Sequence, residues 1–228
     1  MSEHKSKKAN YISSKESARI SRFNRKLTKR LEKQRNRKKV NPDTYMTKMK
    51  DSGNVVEFDN VCSYFFTDIG TVKAVDGASF VVPKCSTVGI VGESGCGKSV
   101  TSLSLMQLLQ RPHGQTVGGE IRFNVGEGDS GEAIDIAKAP NEVVQHMRGN
   151  RMAMIFQEPM TSLNPLKTIG EQITEAVTLH QGLKGAAARE KTLEYLRDVG
   201  IPDPALRYKQ YPHEFSGGMR QRVVIAIA

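Results

Sequence analysis

The stretch that decides the fold reads Gly92-Glu-Ser-Gly-Cys-Gly-Lys-Ser99, which has the pattern GxxxxGK[ST]. An apolar run, Ser86–Val91, precedes it, and a segment with helical character, Ser99–Leu109, follows it. Closely spaced glycines let backbone N–H groups approach anionic oxygens, and the first turn of a helix adds a partial positive charge. The sequence therefore predicts a strand, a phosphate-binding loop and a helix that together bind a nucleoside triphosphate.

Two residues of this loop carry the expected chemistry. Lys98 is placed to reach the β- and γ-phosphates, and the Ser99 hydroxyl to ligate Mg²⁺. A dinucleotide-binding interpretation fails, because Gly95-Cys-Gly-Lys-Ser-Val100 lacks the third small residue. GTPases, kinases, helicases and transporters share the loop, so it indicates only the class of ligand. The residues expected to contact the nucleotide are Gly92, Glu93, Ser94, Gly95, Cys96, Gly97, Lys98, Ser99 and Val100.

A second helix start is predicted near the end of the sequence, at Phe215-Ser-Gly-Gly-Met-Arg-Gln-Arg222. Ser216 stands where a helix cap is expected, and the two glycines after it leave the N–H groups of the first turn bare. The apolar residues Val223, Val224 and Ile225 favour a buried helix over a linker turn. This segment is therefore a second candidate anion site.

The other elements indicate an α/β protein with an antiparallel β subdomain and a helical subdomain. Val55–Phe66 and Val72–Val82 alternate like a hairpin, with Gly70 in the turn. Residues 169–211 have helical period, with breaks at Pro202 and Pro204. The remaining predictions are strands at Glu120–Val125 and Met152–Phe156 and a surface loop or insertion at Gly126–Pro140.

The composition indicates a folded protein and excludes a membrane span and a secretory signal. The chain has 228 residues, of which 38% are hydrophobic, enough for a packed core. No run reaches the roughly 18 apolar residues of a membrane span, and the start does not resemble a secretory signal. Cys62, Cys85 and Cys96 form no CxxC pair, which predicts neither a zinc site nor disulfides and favours a reducing compartment.

Positive charge is concentrated in a basic N-terminal extension, residues 1–52. Residues 1–50 hold 17 of the 34 Lys and Arg residues, so the rest of the chain is close to neutral. Ile20, Phe23, Leu27 and Leu31 recur at helical spacing. The extension is interpreted either as a disordered, solvated tail or as a basic amphipathic helix, capped by Ser13 or Ser14 and ended by Asn41-Pro42. Such a helix suits an anionic membrane surface, RNA or a protein partner.

The two motifs together give a resemblance to a known family. The chain resembles the nucleotide-binding subunits of ABC transporters, whose LSGGQ-type signature binds the nucleotide held by the other subunit. It is most similar to the ATP-binding subunits of bacterial dipeptide and oligopeptide importers. The likeness covers about residues 54–228 and rests on Gly70-Thr-Val-Lys-Ala-Val-Asp76, Gly89-Ile-Val-Gly-Glu-Ser-Gly95, Met154-Ile-Phe-Gln-Glu-Pro-Met-Thr-Ser-Leu-Asn-Pro165 and Tyr211-Pro-His-Glu-Phe-Ser-Gly-Gly-Met-Arg-Gln-Arg222.

The resemblance implies further roles. Phe65 aligns with the aromatic residue that stacks on adenine, and Gln157 with the amide that touches Mg²⁺ and the attacking water. The resemblance thus implies that Lys98 and Gln157 are the catalytic residues and that Ser99 and Gln157 are the metal ligands. Ser216, Gly217 and Gly218 contact the γ-phosphate held by a second ABC ATPase subunit, identical or a paralogue.

The resemblance also implies partners and a location. Glu158–Pro165 faces two integral membrane permease subunits at the cytoplasmic face of the cell membrane. An extracytoplasmic peptide-binding protein takes part indirectly, and no specific nucleic acid is expected. Met219 replaces the usual signature Gln and Phe215 the usual Leu, both as expected for the peptide-importer branch.

One part of the family pattern is missing. Family members hydrolyse ATP with an acidic pair at the end of a later strand and a histidine beyond it, and neither occurs in this sequence. We therefore expect residues 53–228 to be a partial nucleotide-binding domain, incomplete at its C-terminus, with a helical subdomain at about 165–215. The 228-residue chain alone is expected not to hydrolyse ATP. The alternative functions are a soluble ABC ATPase acting on ribosomes or nucleic acid, and a non-hydrolysing nucleotide-binding fragment.

Overall fold

The computed structural model of the chain describes residues 13–158 and 162–228. The chain forms two compact units, one that ends at Gln145 and one that spans His146–Ala228. The helices and strands are α1 (Ser14–Arg35), β1 (Met46–Lys48), β2 (Asn54–Phe66), β3 (Thr71–Pro83), α2 (Lys98–Leu105), β4 (Gly114–Asn124), β5 (Glu132–Asp135), α3 (Asn141–Met147), α4 (Ile169–Gln181), α5 (Gly185–Asp198), α6 (Pro204–Arg207) and α7 (Gly217–Ile227).

The first unit is built on a five-stranded sheet in the order β1-β5-β4-β2-β3, and every neighbouring pair is antiparallel. The predicted hairpin is confirmed as β2 and β3, which alternate between polar and apolar residues. Its register sets Ser63 opposite Val75 and Phe65 opposite Val72. On its other side β2 pairs with β4, where Phe65 faces Gly114. The predicted strand Glu120–Val125 is the second half of the longer β4.

The prediction of a surface loop at Gly126–Pro140 is wrong. This segment contains β5, which pairs with β4 and with β1. Ala133 and Ile134 are buried in the sheet, and Ile136 behind them is fully buried. The glycines and aspartates that flank these apolar residues concealed a strand that is only four residues long.

The predicted strands Ser86–Val91 and Met152–Phe156 are also not formed. Neither segment joins a sheet among residues 13–158 and 162–228, apart from an isolated bridge between Arg148 and Met152. A strand requires hydrogen bonds to a neighbour, and apolar content alone does not provide one. The side chains of Ser86–Val91 are accordingly exposed, up to 92% at Val91, whereas Met152 and Met154 are half-buried.

The basic extension contains helix α1, one of its two predicted forms. Ser13 caps it, because its Oγ accepts a hydrogen bond of 3.3 Å from the Glu16 N–H. It ends at Arg35, earlier than predicted, and Phe23 is 67% exposed rather than on the packed face. The helix packs on the β2–β3 turn: Ser21 Oγ lies 2.7 Å from Asp68 Oδ1, and Asn24 Nδ2 donates to Thr67 O at 2.8 Å.

This packing places α1 within the first unit, together with β1 and the sheet. The outer face of α1 presents exposed Lys and Arg residues, as expected for contact with one of the partners considered from the sequence. The boundary at residue 52 therefore stays a prediction.

The second unit is helical over residues 169–211, as predicted, with Pro202 and Pro204 at the break between α5 and α6. Thr168 and Glu171 form a capping box at the start of α4. The helices enclose an apolar core of Leu163, Ile169, Ile173, Val177, Ala188, Leu196, Ile201, Phe215, Val223 and Val224. The predicted final helix is α7, which begins directly after Ser216.

A buried carboxylate in β2 gives a test of the first unit. Glu57 accepts hydrogen bonds from the backbone N–H groups of Lys50 and Asp51, both at 2.9 Å, and from Asn54 Nδ2 at 3.0 Å. Burial raises the pKa of Glu57, but these hydrogen bonds and the Arg122 charge outweigh it, so the pKa lies below the ordinary 4.5. The stabilisation is therefore present above about pH 4.5 and is lost as the pH falls through the lowered pKa.

We expect Glu57→Gln to lower the free energy of unfolding by about 2 kcal/mol at neutral pH, because an ionised acceptor is lost from a buried cluster. Urea unfolding at neutral and acidic pH measures this, and the variant should show a weaker loss of stability below pH 4.5 than the parent. The control is Glu127→Gln, which changes an exposed carboxylate. Equal stability of the two variants at neutral pH would contradict the prediction.

Candidate phosphate-binding site

The candidate phosphate loop ends on a glycine that lies directly on strand β3. Gly97 caps α2 with φ 96°, a left-handed conformation. A Cβ atom added at Gly97 would lie 2.4 Å from Ala74 O and 3.3 Å from Val75 Cγ2. Only glycine therefore lets the loop pass this close to the sheet. The sequence did not predict that Ala74 and Val75 lie against the loop. Only the position of these two residues in β3 could have indicated this contact.

The Lys98 ammonium lies folded over the loop. Its Nζ donates to Gly92 O at 2.7 Å and to Glu93 O at 2.6 Å, and it lies 3.5 Å from Cys96 Sγ. These contacts hold a positive charge across the concave side of the loop. Carbonyl oxygens are weaker partners for an ammonium group than phosphate oxygens. The ammonium can therefore exchange them for an anion.

The first turn of α2 leaves donors free. Within the part of the chain that the structure describes, the N–H groups of Lys98, Ser99 and Val100 have no acceptor. The Ser99 side chain is exposed and makes no hydrogen bond there either. Free N–H groups at a helix start, next to an ammonium, form an anion-binding arrangement. The exposed hydroxyl is an oxygen ligand suited to a hard cation.

A hydroxyl pair joins helix α2 to the sheet, since Ser104 Oγ lies 2.8 Å from Ser63 Oγ of β2. Within the helix start, the buried Thr101 donates to Gly97 O at 3.0 Å. Because Ser63 faces Val75 in the register, these contacts and the Gly97 contact lie at the same level of the sheet. The sheet thus sets the position of the loop.

Phe65 lies close to this level. It stands two residues after Ser63 in β2, which is about 7 Å along a strand. The side chain is half-buried, and its Cε1 would lie 2.9 Å from a Cβ added at Gly114. The two neighbouring aromatic residues make other contacts. Phe66 is buried. The Tyr64 hydroxyl donates to Asp76 Oδ1, and this hydrogen bond raises the pKa of Tyr64 to about 12. The geometry therefore favours Phe65 over these neighbours as the accessible aromatic ring.

The second candidate anion site belongs to the second unit. Ser216 caps α7, and its Oγ accepts a hydrogen bond of 3.3 Å from the Met219 N–H. A Cβ added at Gly217 or Gly218 would meet no heavy atom within 4 Å among the described residues, and both glycines are exposed. Phe215, only 3% exposed, anchors this helix start in the core.

Gln157 also lies in the second unit, at an exposed bend after Met152. Its side chain makes no hydrogen bond to any residue that the structure describes. Glu158–Pro165, predicted to face membrane subunits, falls partly outside the described residues, because 159–161 are not described. The structure thus brings residues 92–100 together as one site and assigns Gln157 and Ser216–Gly218 to the other unit.

Comparison with known proteins gives a consistent result. The model of the family described as "ABC transporter" matches residues 75–228. A probable peptide ABC transporter ATP-binding protein (y4tR) of Sinorhizobium fredii is 47% identical over 166 residues, which cover 73% of this chain and 47% of that protein. The oligopeptide transport ATP-binding protein AppD of Bacillus subtilis is 47% identical over 174 residues, 76% of this chain and 51% of that protein. The chain thus spans about half the length of the curated relatives it matches.

Solved structures share the fold. The dimeric structure of MJ0796, a bacterial ABC transporter cassette, aligns with a TM-score of 0.62 at 21% identity, over 75% of this chain and 68% of that one. A post-hydrolysis state of MJ0796 bound to ADP and Pi aligns equally well, at 22% identity. This likeness confirms the predicted fold class, although two of the predicted strands are not formed here.

Proposed function

This chain belongs to the ABC transporter family, and on that basis we propose that it is an ATP-binding subunit that couples ATP binding and hydrolysis to the import of peptides. The observation that carries the proposal is a pair of helix N-termini, that of α2 after the phosphate loop and that of α7 after Ser216. Both have backbone N–H groups without an acceptor among the described residues. Both follow the family pattern, and the relatives at 47% identity are named as peptide transport ATP-binding proteins.

The first step of the proposed cycle is binding of the triphosphate. Lys98 exchanges its contacts with Gly92 O and Glu93 O for the β- and γ-phosphates, and the free N–H groups of Ser99 and Val100 donate to phosphate oxygens. Mg²⁺ neutralises phosphate charge when it is bound. The Ser99 side chain fits this role, because its hydroxyl is exposed and unpartnered among the described residues. Gln157, which belongs to the other unit, is the second oxygen ligand in the proposal.

The second step is pairing with another ATPase subunit. The Ser216 Oγ accepts from the Met219 N–H, which leaves its own O–H free to donate to a γ-phosphate. Gly217 and Gly218 present bare N–H groups beside it, with open space around them. In the proposal these groups contact the nucleotide held by the partner subunit, identical or a paralogue, so that ATP closes the pair.

Closure acts on two integral membrane permease subunits, with a peptide-binding protein delivering substrate from outside the cell. The proposed location is peripheral, at the cytoplasmic face of the membrane. Among the described helices, none has the length and apolar character to cross a bilayer. Hydrolysis relies on positioning and charge neutralisation by Lys98 and Gln157. The acidic pair that completes this chemistry in the family is not found in the 228 residues, so we expect negligible ATP turnover by this chain alone.

Two experiments test this function. Isothermal titration of the 228-residue chain with MgATP should give binding heat, and folded protein without such heat would refute the nucleotide site. Co-expression with the membrane proteins encoded beside its gene should bring the chain to the membrane fraction, and the chain should stay soluble without them. Neighbouring genes for translation factors, instead of two multi-span membrane proteins and a solute-binding protein, would favour an ATPase that acts on ribosomes.

The role proposed for Phe65 has its own test. A base stacked on an aromatic ring contributes about 1–3 kcal/mol, so Phe65→Ala should weaken MgATP binding about tenfold. Binding of magnesium tripolyphosphate, which has no base, should be unchanged. Both are measured by calorimetry. The control is Phe80→Ala, which removes a half-buried ring that stacks on Phe58 in the same sheet. Equal weakening for both ligands would contradict the stacking role.

A further inference from the structure

A cavity of about 320 Å³ lies in the first unit, between α1, β4 and the segment after β5. Arg35 and Arg37 line it from the α1 side, Lys138 from the segment after β5, and Thr44 and Gln115 complete the polar lining. None of the described residues that line it is an aspartate or a glutamate. The family match begins at residue 75, so the α1 side of this cavity lies outside the region shared with the family.

Arg35 is the unusual residue of this cavity. It is only 8% exposed, yet its guanidinium has no hydrogen bond and no ion pair among the described residues. The nearest acid on the helix, Glu32, is engaged with Gln115 Nε2 at 2.7 Å and with Arg111 at 3.7 Å. Burial and the charge of Arg111 lower the pKa of Arg35 to about 10, and the charge of Glu32 offsets only part of this shift. A buried cation without a counter-ion is costly, so this position favours an anion.

The neighbouring groups do not supply that anion. Lys138 is already paired with Glu120 at 2.7 Å and with Asp135 at 2.9 Å, so its own charge is balanced. Arg37 is exposed and has no side-chain partner within the described part of the chain. Gln115 Oε1 is buried without a donor there, which leaves an acceptor for a hydroxyl group. Among the residues that the structure describes, the cavity thus combines two unpaired guanidinium groups with one unsatisfied acceptor.

We propose that this cavity, the α1–β4 cavity, binds a phosphate group, either as inorganic phosphate or as a phosphate monoester. A guanidinium presents a planar fork of N–H donors that matches phosphate oxygens, and Arg35 and Arg37 supply two of them. The protonated oxygen of the phosphate, or a hydroxyl of the ester, is a donor for Gln115 Oε1. The volume lies at the lower end of small-molecule sites and accommodates a phosphate with a small substituent.

The test separates this site from the phosphate loop by using Lys98→Ala as the background. In that background, titration calorimetry with inorganic phosphate should show binding, and Arg35→Met should weaken it at least about tenfold. The control is Arg22→Met, which removes an exposed arginine from the same helix and should leave phosphate affinity unchanged. Without phosphate, Arg35→Met should be at least as stable as its background in urea, because a methionine replaces a buried unpaired charge.

A second arm distinguishes a free phosphate from a lipid headgroup. Vesicles of phosphatidylcholine with and without phosphatidic acid are mixed with the same variants, and bound protein is measured by flotation. Binding to phosphatidic acid that Arg35→Met weakens and Arg22→Met does not assigns the site to a lipid phosphate. Binding of inorganic phosphate alone assigns it to a soluble ligand. If neither ligand binds, or if the two arginine variants behave alike towards both, the proposal is wrong.

Discussion

Lys98→Ala is expected to lower the affinity of the chain for MgATP about 100-fold. The Lys98 ammonium is the one charged donor that the phosphate loop itself contributes, and a hydrogen bond between charged groups is worth about 1.5–3 kcal/mol. The variant loses more than one such bond, because the Nζ group that now contacts two carbonyls is placed to contact two phosphates. Each 1.4 kcal/mol corresponds to about a factor of ten in affinity.

Calorimetry with MgATP measures this change, and circular dichroism verifies that the variant is folded. The matched control is Lys48→Ala, which removes an exposed lysine from β1 in the same unit and should leave affinity unchanged. A loss of less than threefold in the folded Lys98 variant would show that the loop does not bind the triphosphate as proposed.

The second large effect is expected from Gly97→Ala, which should abolish measurable MgATP binding and lower the free energy of unfolding of the first unit by about 3 kcal/mol. Two costs combine: a left-handed backbone disfavours any Cβ by about 1–2 kcal/mol, and overpacking adds about 1–3 kcal/mol. The new Cβ would stand 2.4 Å from Ala74 O, and a strand backbone cannot move away as a side chain would. The loop must therefore lift from β3 and displace its N–H groups.

Gly128→Ala separates the two costs. Gly128 also has a positive φ, 57°, but a Cβ there meets nothing within 4 Å among the described residues. It should cost about 1 kcal/mol in urea unfolding and leave MgATP binding intact. Similar losses in the two glycine variants would indicate that backbone strain, and not contact with β3, determines the effect at Gly97.

The elements that were predicted correctly are those that short-range rules determine. The β2–β3 hairpin follows from alternation and a turn glycine, and α7 from a capping serine followed by apolar residues. The two missing strands, Ser86–Val91 and Met152–Phe156, depend on a hydrogen-bonding neighbour elsewhere in the sheet, which local sequence does not specify. The prediction missed β5 for the opposite reason. This segment has the composition of a loop, but it becomes a strand because β1 and β4 pair with it on both sides.

The candidate site shows the same division. The pattern of the loop predicts which residues gather at α2, from Gly92 to Val100. It does not predict that Gly97 contacts Ala74 O, because that contact depends on the register of a strand about 20 residues earlier in the chain. The roles of Gln157 and Ser216 stay predictions, because they depend on a nucleotide and a partner subunit.

The packing of α1 has a practical consequence for work on this protein. Ser21 and Asn24 bind the β2–β3 turn, and Phe65 lies only two residues before Thr67 in that turn. A fragment that begins at residue 54, where the resemblance to the family starts, would keep Phe65 but lose this support of the turn. We expect such a fragment to discriminate poorly among purine and pyrimidine triphosphates, so nucleobase selectivity should be studied with the N-terminal segment in place.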